Sequence, residues 1–318
     1  MNKKIALIVG IVIVGLIGGT VFLSSKKSDA KQSTEEIIKV EHSLGTTEVK
    51  SNPKKIVVFD YAALDAMDVL EVEGIVGVPK GTSIPDYLKK YNGDEYASIG
   101  ALKEPDLEKI NELKPDLIII NGRQHSFYDK LNEIAPTISL SKEDGKYMES
   151  FAHNMEVLGK IFNRDKVVEK ELAKINKKIE EINKEVTKNA YKATTLMVSD
   201  GKLSVFGETS RFGLIYNNLG FKNTDENIEA ANHGQDISFE YVASQNPDYM
   251  FVIDKSVIAK EGNQKPAKEI LNNELVNNTN VAKEGKIIYL DTHSWYLSDG
   301  GFISTNKMLD EIMDAIKK

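Results

Sequence analysis

The sequence predicts an α/β protein of two similar lobes, each built on a mostly parallel sheet, joined by one long helix. Three observations predict it. From Val40 onward, short aliphatic runs alternate with amphipathic stretches. A single charged, amphipathic segment at 165–188 interrupts the series. A helix–turn–strand–cation passage ahead of that segment then recurs behind it.

The alternation begins with "KKIVVFD" (54–60), a strand, followed by the helical "ALDAMDVLEV" (63–72). "GIVGVP" (74–79) is a second strand, "LEKINELK" (107–114) a helix, and "LIII" (117–120) and "TISL" (137–140) continue the set. Strands alternating with helices of this length imply βαβ units and parallel pairing. In 165–188, Val168, Leu172, Ile175, Ile179, Ile182 and Val186 recur every three or four residues among interleaved Glu and Lys. That spacing makes one apolar stripe along one long helix. "TTLMVSD", "KLSVFG", "FEYVASQN", "YMFVID" and "KIIYLD" resume the alternation. The expected organisation is an N-terminal segment 1–23, a tether 24–39, lobes at 40–164 and 189–318, and the backbone helix 165–188 between them.

The repeat is visible when "PDLEKINELKPDLIIINGR" (105–123) is set above "DISFEYVASQNPDYMFVIDK" (236–255). One offset of 132 residues pairs Glu108 with Glu240, Pro115 with Pro247, Asp116 with Asp248 and Arg123 with Lys255. A register held over about sixteen positions points to duplicated supersecondary units.

Composition narrows the functional classes. The 318 residues carry a net charge of −7, which argues against a nucleic-acid binder that would want a basic face. Cysteine is absent, so disulfides, thiolate metal sites, a thiol nucleophile and lipidation on cysteine are all excluded. The N-terminus, "MNKKIALIVGIVIVGLIGGTVFLSSKK", holds an apolar run from Ile5 to Leu23 between lysine pairs. Nineteen helical residues reach about 28 Å, close to the ~30 Å hydrocarbon core. An uncleaved membrane anchor and a cleaved signal segment both fit, and in either case the chain beyond residue 24 is exported.

Only three arginines occur, Arg123, Arg164 and Arg211, in a chain whose default cation is lysine. In parallel α/β sheets ligands sit beyond the carboxyl ends of strands, where Arg123 and Lys255 fall in equivalent places. If the lobes face one another, both cations reach one cleft and hold an anionic ligand there. Arg211, in the glycine-flanked "FGETSRFGLIY" (206–216), joins them on a third loop, with a planar fork suited to paired oxygens. Arg164 reads as a surface charge. His233, in "ANHGQ", and Tyr296, in "THSWYLSDGG", are loop residues whose imidazole and phenol suit iron(III) when a ligand leaves positions open. Trp295, the sole tryptophan, either stacks on a planar ligand or anchors its loop. Glu108 and Glu240, one per half, suit docking to a two-fold partner.

These motifs resemble a known family. "NPKKIVVFDYAALDAM" (52–67), "SIGALKEPDLEKINELKPDLIIINGRQ" (98–124), "VFGETSRFGLI", "ANHGQDISFEYVASQNPDYMFVIDK" (231–255) and "IIYLDTHSWYLSDGG" (287–301) are similar to the cluster A-III, helical-backbone substrate-binding proteins of ABC importers. The similarity is greatest to the binders of catecholate siderophores of the petrobactin and enterobactin type. The resemblance implies a class III periplasmic-binding-protein-like fold and a receptor, not an enzyme. It implies a basic triad at Arg123, Arg211 and Lys255 for an anionic ferric catecholate, with Lys255 where relatives usually carry Arg. It implies that His233 and Tyr296 can complete the coordination of siderophore-bound iron, and that Glu108 and Glu240 dock a permease dimer. No intrinsic cofactor is expected. The chain is expected to be a monomer on the extracytoplasmic face, either anchored by its N-terminal segment or secreted. Gram-positive relatives are normally lipoproteins, but Thr20 stands where their cysteine would. The same architecture holding haem or a corrinoid is the alternative. An α/β enzyme fits less well, for the chain has no GxSxG elbow, phosphate-cradling loop or metal-hydrolase spacing.

Overall fold

A computed structural model describes residues 36–81, 83–228, 231, 233–259 and 264–317. The apolar segment 1–23 and most of the expected tether lie outside the described residues. Among those described, no helix is long and apolar enough to cross a membrane.

The chain opens with an antiparallel hairpin of Ile37–His42 (β1) and Gly45–Lys50 (β2). This corrects the tether expected to reach residue 39. "IIKVEH" alternates inward and outward, with Val40 buried opposite Thr47 and Val49 buried on β2, so 37–39 are strand.

The first sheet follows: Ile56–Val58 (β3), helix Tyr61–Val69 (α1), Ile75–Val78 (β4) and Ala97–Ser98 (β5). A small hairpin, Gly100–Ala101 (β6) with Glu104–Pro105 (β7), leads into helix Leu107–Leu113 (α2) and strand Leu117–Ile120 (β8). Helix Tyr128–Ile134 (α3), strand Thr137–Ser139 (β9) and helix Tyr147–Phe162 (α4) complete this half. The strand order is β5-β4-β3-β8-β9, parallel throughout. Leu117, Ile118, Ile119 and Ile120 are all fully buried, as a parallel strand covered on both faces requires.

Helix Asp165–Asn189 (α5) ends in a left-handed residue, Ala190. It buries Val168, Ile175, Ile182 and Val186, with Leu172 and Ile179 packed beside them, against α4 and the last helix of the chain. The second sheet contains Lys192–Ser199 (β10), Lys202–Phe206 (β11), Lys222–Asn223 (β12), Gln235–Ile237 (β13), Tyr249–Asp254 (β14) and Ile287–Leu290 (β15). Its order is β13-β11-β10-β14-β15, with β12 also on β10; β11 runs antiparallel to both neighbours and the remaining pairs are parallel. Its helices are Phe239–Gln245 (α6), Ala267–Ile270 (α7), Glu274–Asn277 (α8), Asn280–Lys283 (α9) and Phe302–Ile316 (α10).

The sequence repeat has a physical basis. Asp106 and Ser238 cap the N-termini of α2 and α6, and Lys114 and Asn246 end them at φ 51° and 42°. Pro115 and Pro247 are then buried. Asp116 Oδ2 accepts from the Lys54 and Lys55 amides at 2.9 and 3.0 Å, and Asp248 Oδ2 accepts from the Lys192 amide at 2.7 Å. Each aspartate pins the start of the neighbouring strand, β3 or β10, so the two halves set their registers by the same device.

The halves meet where α1 packs on α10. The buried Asp65 carboxylate of α1 accepts from the Ile303 and Ser304 amides, each at 2.8 Å, capping α10 from across the junction. A Cβ on Gly301 would stand 2.3 Å from Asp65 Cγ, so only glycine admits this approach.

Candidate ligand-binding site

Four loops converge on Tyr296. After β8, Asn121 and Gln124 form a reciprocal cap: Asn121 Oδ1 accepts from the Gly122 amide at 2.6 Å and Gln124 Oε1 from the Asn121 amide at 3.0 Å. Gln124 is fully buried and also donates to the Leu102 carbonyl, so the turn carrying Arg123 is rigid. After β14, Asp254 does the equivalent work, accepting from the Ser256 amide at 2.9 Å and the Ala267 amide at 2.8 Å, and so presents Lys255. After β11, the buried Ser210 bonds the Gly207 carbonyl at 2.6 Å and sets the turn that carries Arg211. Tyr296 lies on a π-helical turn, His293–Leu297, after β15.

The cations surround one ring. The Arg211 guanidinium carbon lies 4.4 Å from the Tyr296 centroid, Lys255 Nζ 5.3 Å and the Arg123 guanidinium carbon 5.8 Å. Arg123 and Arg211 also donate to the Tyr296 carbonyl, at 2.9 and 3.0 Å. Burial alone would raise the Tyr296 phenol, but Arg211, Lys255, Arg123 and Lys103 outweigh it and hold the phenol below its ordinary value. Cations over a ring face are attracted to its quadrupole, yet three at one phenol leave a net positive field that favours an anion. The Lys255 ammonium makes no hydrogen bond or ion pair among the described residues. Arg211 Nε is buried and equally without a partner.

Against Arg211 lies Asp299, a buried carboxylate. Its Oδ1 accepts from Arg211 Nη2 at 3.1 Å, and its Oδ2 pairs with Lys142 Nζ at 3.1 Å; Lys142 also donates to the Asp299 carbonyl. Burial pushes the carboxyl up, but Lys142, Arg211 and Arg123 more than offset this and hold it below the usual carboxylate range. Lys142 comes from the loop after β9, so this ion triad spans both halves. Lys103, Lys142 and Asp299 were not anticipated. The "SDGG" turn was the only signal for Asp299, and the two lysines were indistinguishable from the chain's many others.

Arg123, Arg211, Lys255 and Tyr296 are thus brought together. His233 is exposed in the turn before β13 and makes no hydrogen bond among the described residues. Gly234 beside it has φ +76°, and a Cβ there would meet the Phe206 ring at 2.7 Å, which seats the turn against β11. Trp295 corrects the expectation of a ligand-facing indole. It is 1% exposed, and its Nε1 donates to Glu311 Oε2 at 2.7 Å, so it anchors its loop onto α10 and offers no face to a ligand. Glu108 and Glu240 are exposed in the first turns of α2 and α6, equivalent places in the two halves. Among the described residues, no group of three or more His, Asp or Glu side chains is arranged to hold a metal ion.

Two α/β sheets, one connecting helix and a cation-lined tyrosine define a ligand-binding protein, and the chain belongs to the periplasmic binding protein family, whose profile matches residues 56–293. It is 44% identical over 317 residues to the petrobactin-binding protein YclQ of Bacillus subtilis, covering 99% of this chain and 98% of that one. The crystal structure of YclQ superposes with a TM-score of 0.84 over 89% of this chain and all of the other. The ferric-anguibactin-binding protein FatB of Vibrio anguillarum is 32% identical over 90% of each chain. The periplasmic catecholate-siderophore binding protein VctP of Vibrio cholerae is 35% identical, with a TM-score of 0.83 over 88% of this chain and all of its own. These relatives are binding proteins for iron carriers, not enzymes.

Proposed function

We propose that the protein is the extracytoplasmic receptor of an iron-uptake ABC transporter, capturing an anionic ferric siderophore of the catecholate type. The observation that carries this reading is the convergence of Arg123, Arg211 and Lys255 on Tyr296, with a buried Arg211 Nε left unpartnered. Such a site has donors and positive charge to spare, and a ferric catecholate brings a compact cluster of anionic oxygens to meet them. The phenol of Tyr296, already biased toward its anion, and the exposed imidazole of His233 supply iron ligands when a siderophore leaves coordination positions open. Iron arrives as cargo within the siderophore; no intrinsic cofactor enters the scheme. Glu108 and Glu240 dock a permease dimer, one carboxylate per half. The first lobe starts with β1 at residue 37 and runs to 164, the second is 189–318 with the 165–188 helix between them, and the monomer is held at the membrane by its N-terminal apolar segment, without a lipid.

The test is a titration of residues 31–318 with ferric catecholates, ferric hydroxamate, haem and cobalamin, followed by Trp295 emission. The buried indole sits one residue from the site, so a strongly absorbing ferric complex quenches it through space. Binding of haem or cobalamin alone would overturn the reading.

A further inference from the structure

We propose that Asp299 and Lys142 are positioning residues that lock the Arg211 guanidinium before any ligand arrives, a role that rests on the binding site proposed above. Both side chains are almost wholly buried, with side-chain exposures of 8% for Asp299 and 14% for Lys142. One carboxylate oxygen holds Arg211 Nη2 and the other holds Lys142, which is itself tied to the Asp299 carbonyl. The carboxylate cannot turn without breaking a contact on one side or the other. The arrangement carries a local cost: Arg211 Nε is buried with no acceptor. A guanidinium free to choose would satisfy that N–H, so its pose is imposed from behind and not set by its own bonding. Imposed geometry of this kind removes the ordering cost at the moment of binding.

Bare charge and positioning make opposite predictions. Asp299 is an anion beside an anion-binding site, so by charge alone its removal strengthens binding. If it positions Arg211, its removal weakens binding. The net-neutral pair Asp299→Asn/Lys142→Met and the single Asp299→Asn are compared with the parent chain and with Arg211→Ala. Titrated with a ferric tris-catecholate, both variants are expected to lose at least tenfold in affinity, and to lose nothing further in the Arg211→Ala background. Equal or tighter binding, or the same loss without Arg211, overturns the proposal.

A second readout needs no ligand. The chain has only three arginines, so the arginine side-chain Nε–H region of a ¹⁵N spectrum holds three signals, with that of Arg211 assigned by its disappearance in Arg211→Lys. In the parent chain this signal is expected to be protected from solvent exchange, and in both Asp299 variants broadened by it. Retained protection in the variants overturns the lock. If the parent chain binds none of the ferric probes, the receptor reading fails, and the Arg211 signal alone decides whether the lock exists.

Discussion

Replacing Asp65 with alanine tests the junction between the halves. The carboxylate caps α10 from α1 through two amides at 2.8 Å. Charged hydrogen bonds contribute about 1.5–3 kcal/mol each, so their loss costs roughly 3–6 kcal/mol. Desolvation of the buried charge opposes this gross figure: burial, only partly offset by those two bonds, raises the Asp65 carboxyl from 3.8 to about 6. The pH dependence is the sharper test. A carboxyl with a raised folded value binds its proton more readily folded than unfolded, so this group adds stability as pH falls through about 6 toward 4. Between pH 8 and pH 5 the gain is on the order of 1 kcal/mol, present in the parent chain and absent in Asp65→Ala. Urea unfolding of both chains at the two pH values, followed by Trp295 emission, measures it, and other titrating groups cancel in the difference. A destabilisation that is the same at both pH values, or larger at pH 8, would refute the argument.

Arg123→Ala removes one charged donor at the Tyr296 carbonyl and should weaken a ferric catecholate by about tenfold to 150-fold; an unchanged affinity in the same titration removes Arg123 from the site. Glu108→Lys together with Glu240→Lys, both at exposed helix starts, should abolish uptake of labelled ferric siderophore by cells while leaving binding intact, and uptake at the parent rate refutes the docking role. Ile175→Ala, at the fully buried centre of the α5 stripe, should cost roughly 2–5 kcal/mol in chemical unfolding without changing affinity.

The parts of the fold that were legible in sequence are those where local pattern and tertiary role coincide. The Leu117–Ile120 run is a fully buried parallel strand, and the α5 stripe packs along its whole length, because periodicity reports burial directly. The 132-residue offset found Arg123 and Lys255 because duplicated units place equivalent residues at equivalent strand ends. β1 escaped because three of its six residues are exposed and its pairing is local to a hairpin. Trp295 was ambiguous because a loop residue can face either way, and its direction is set by Glu311, sixteen residues on along α10. Asp299, Lys142 and Asp65 act across the junction, 157 residues apart in the first pair and 238 in the Asp65–Ile303 contact. Side chains that work through so distant a partner leave no periodic trace.

The turn from His293 to Gly301 has a mechanical consequence. First-half side chains grip it at Ser83, Tyr87, Arg123 and Lys142, and Asp65 grips the helix it feeds. A molecule laced together across its halves has little room to announce cargo by clamping shut. Whatever collects from it must feel the passenger itself, or the stirring of a few residues at the rim.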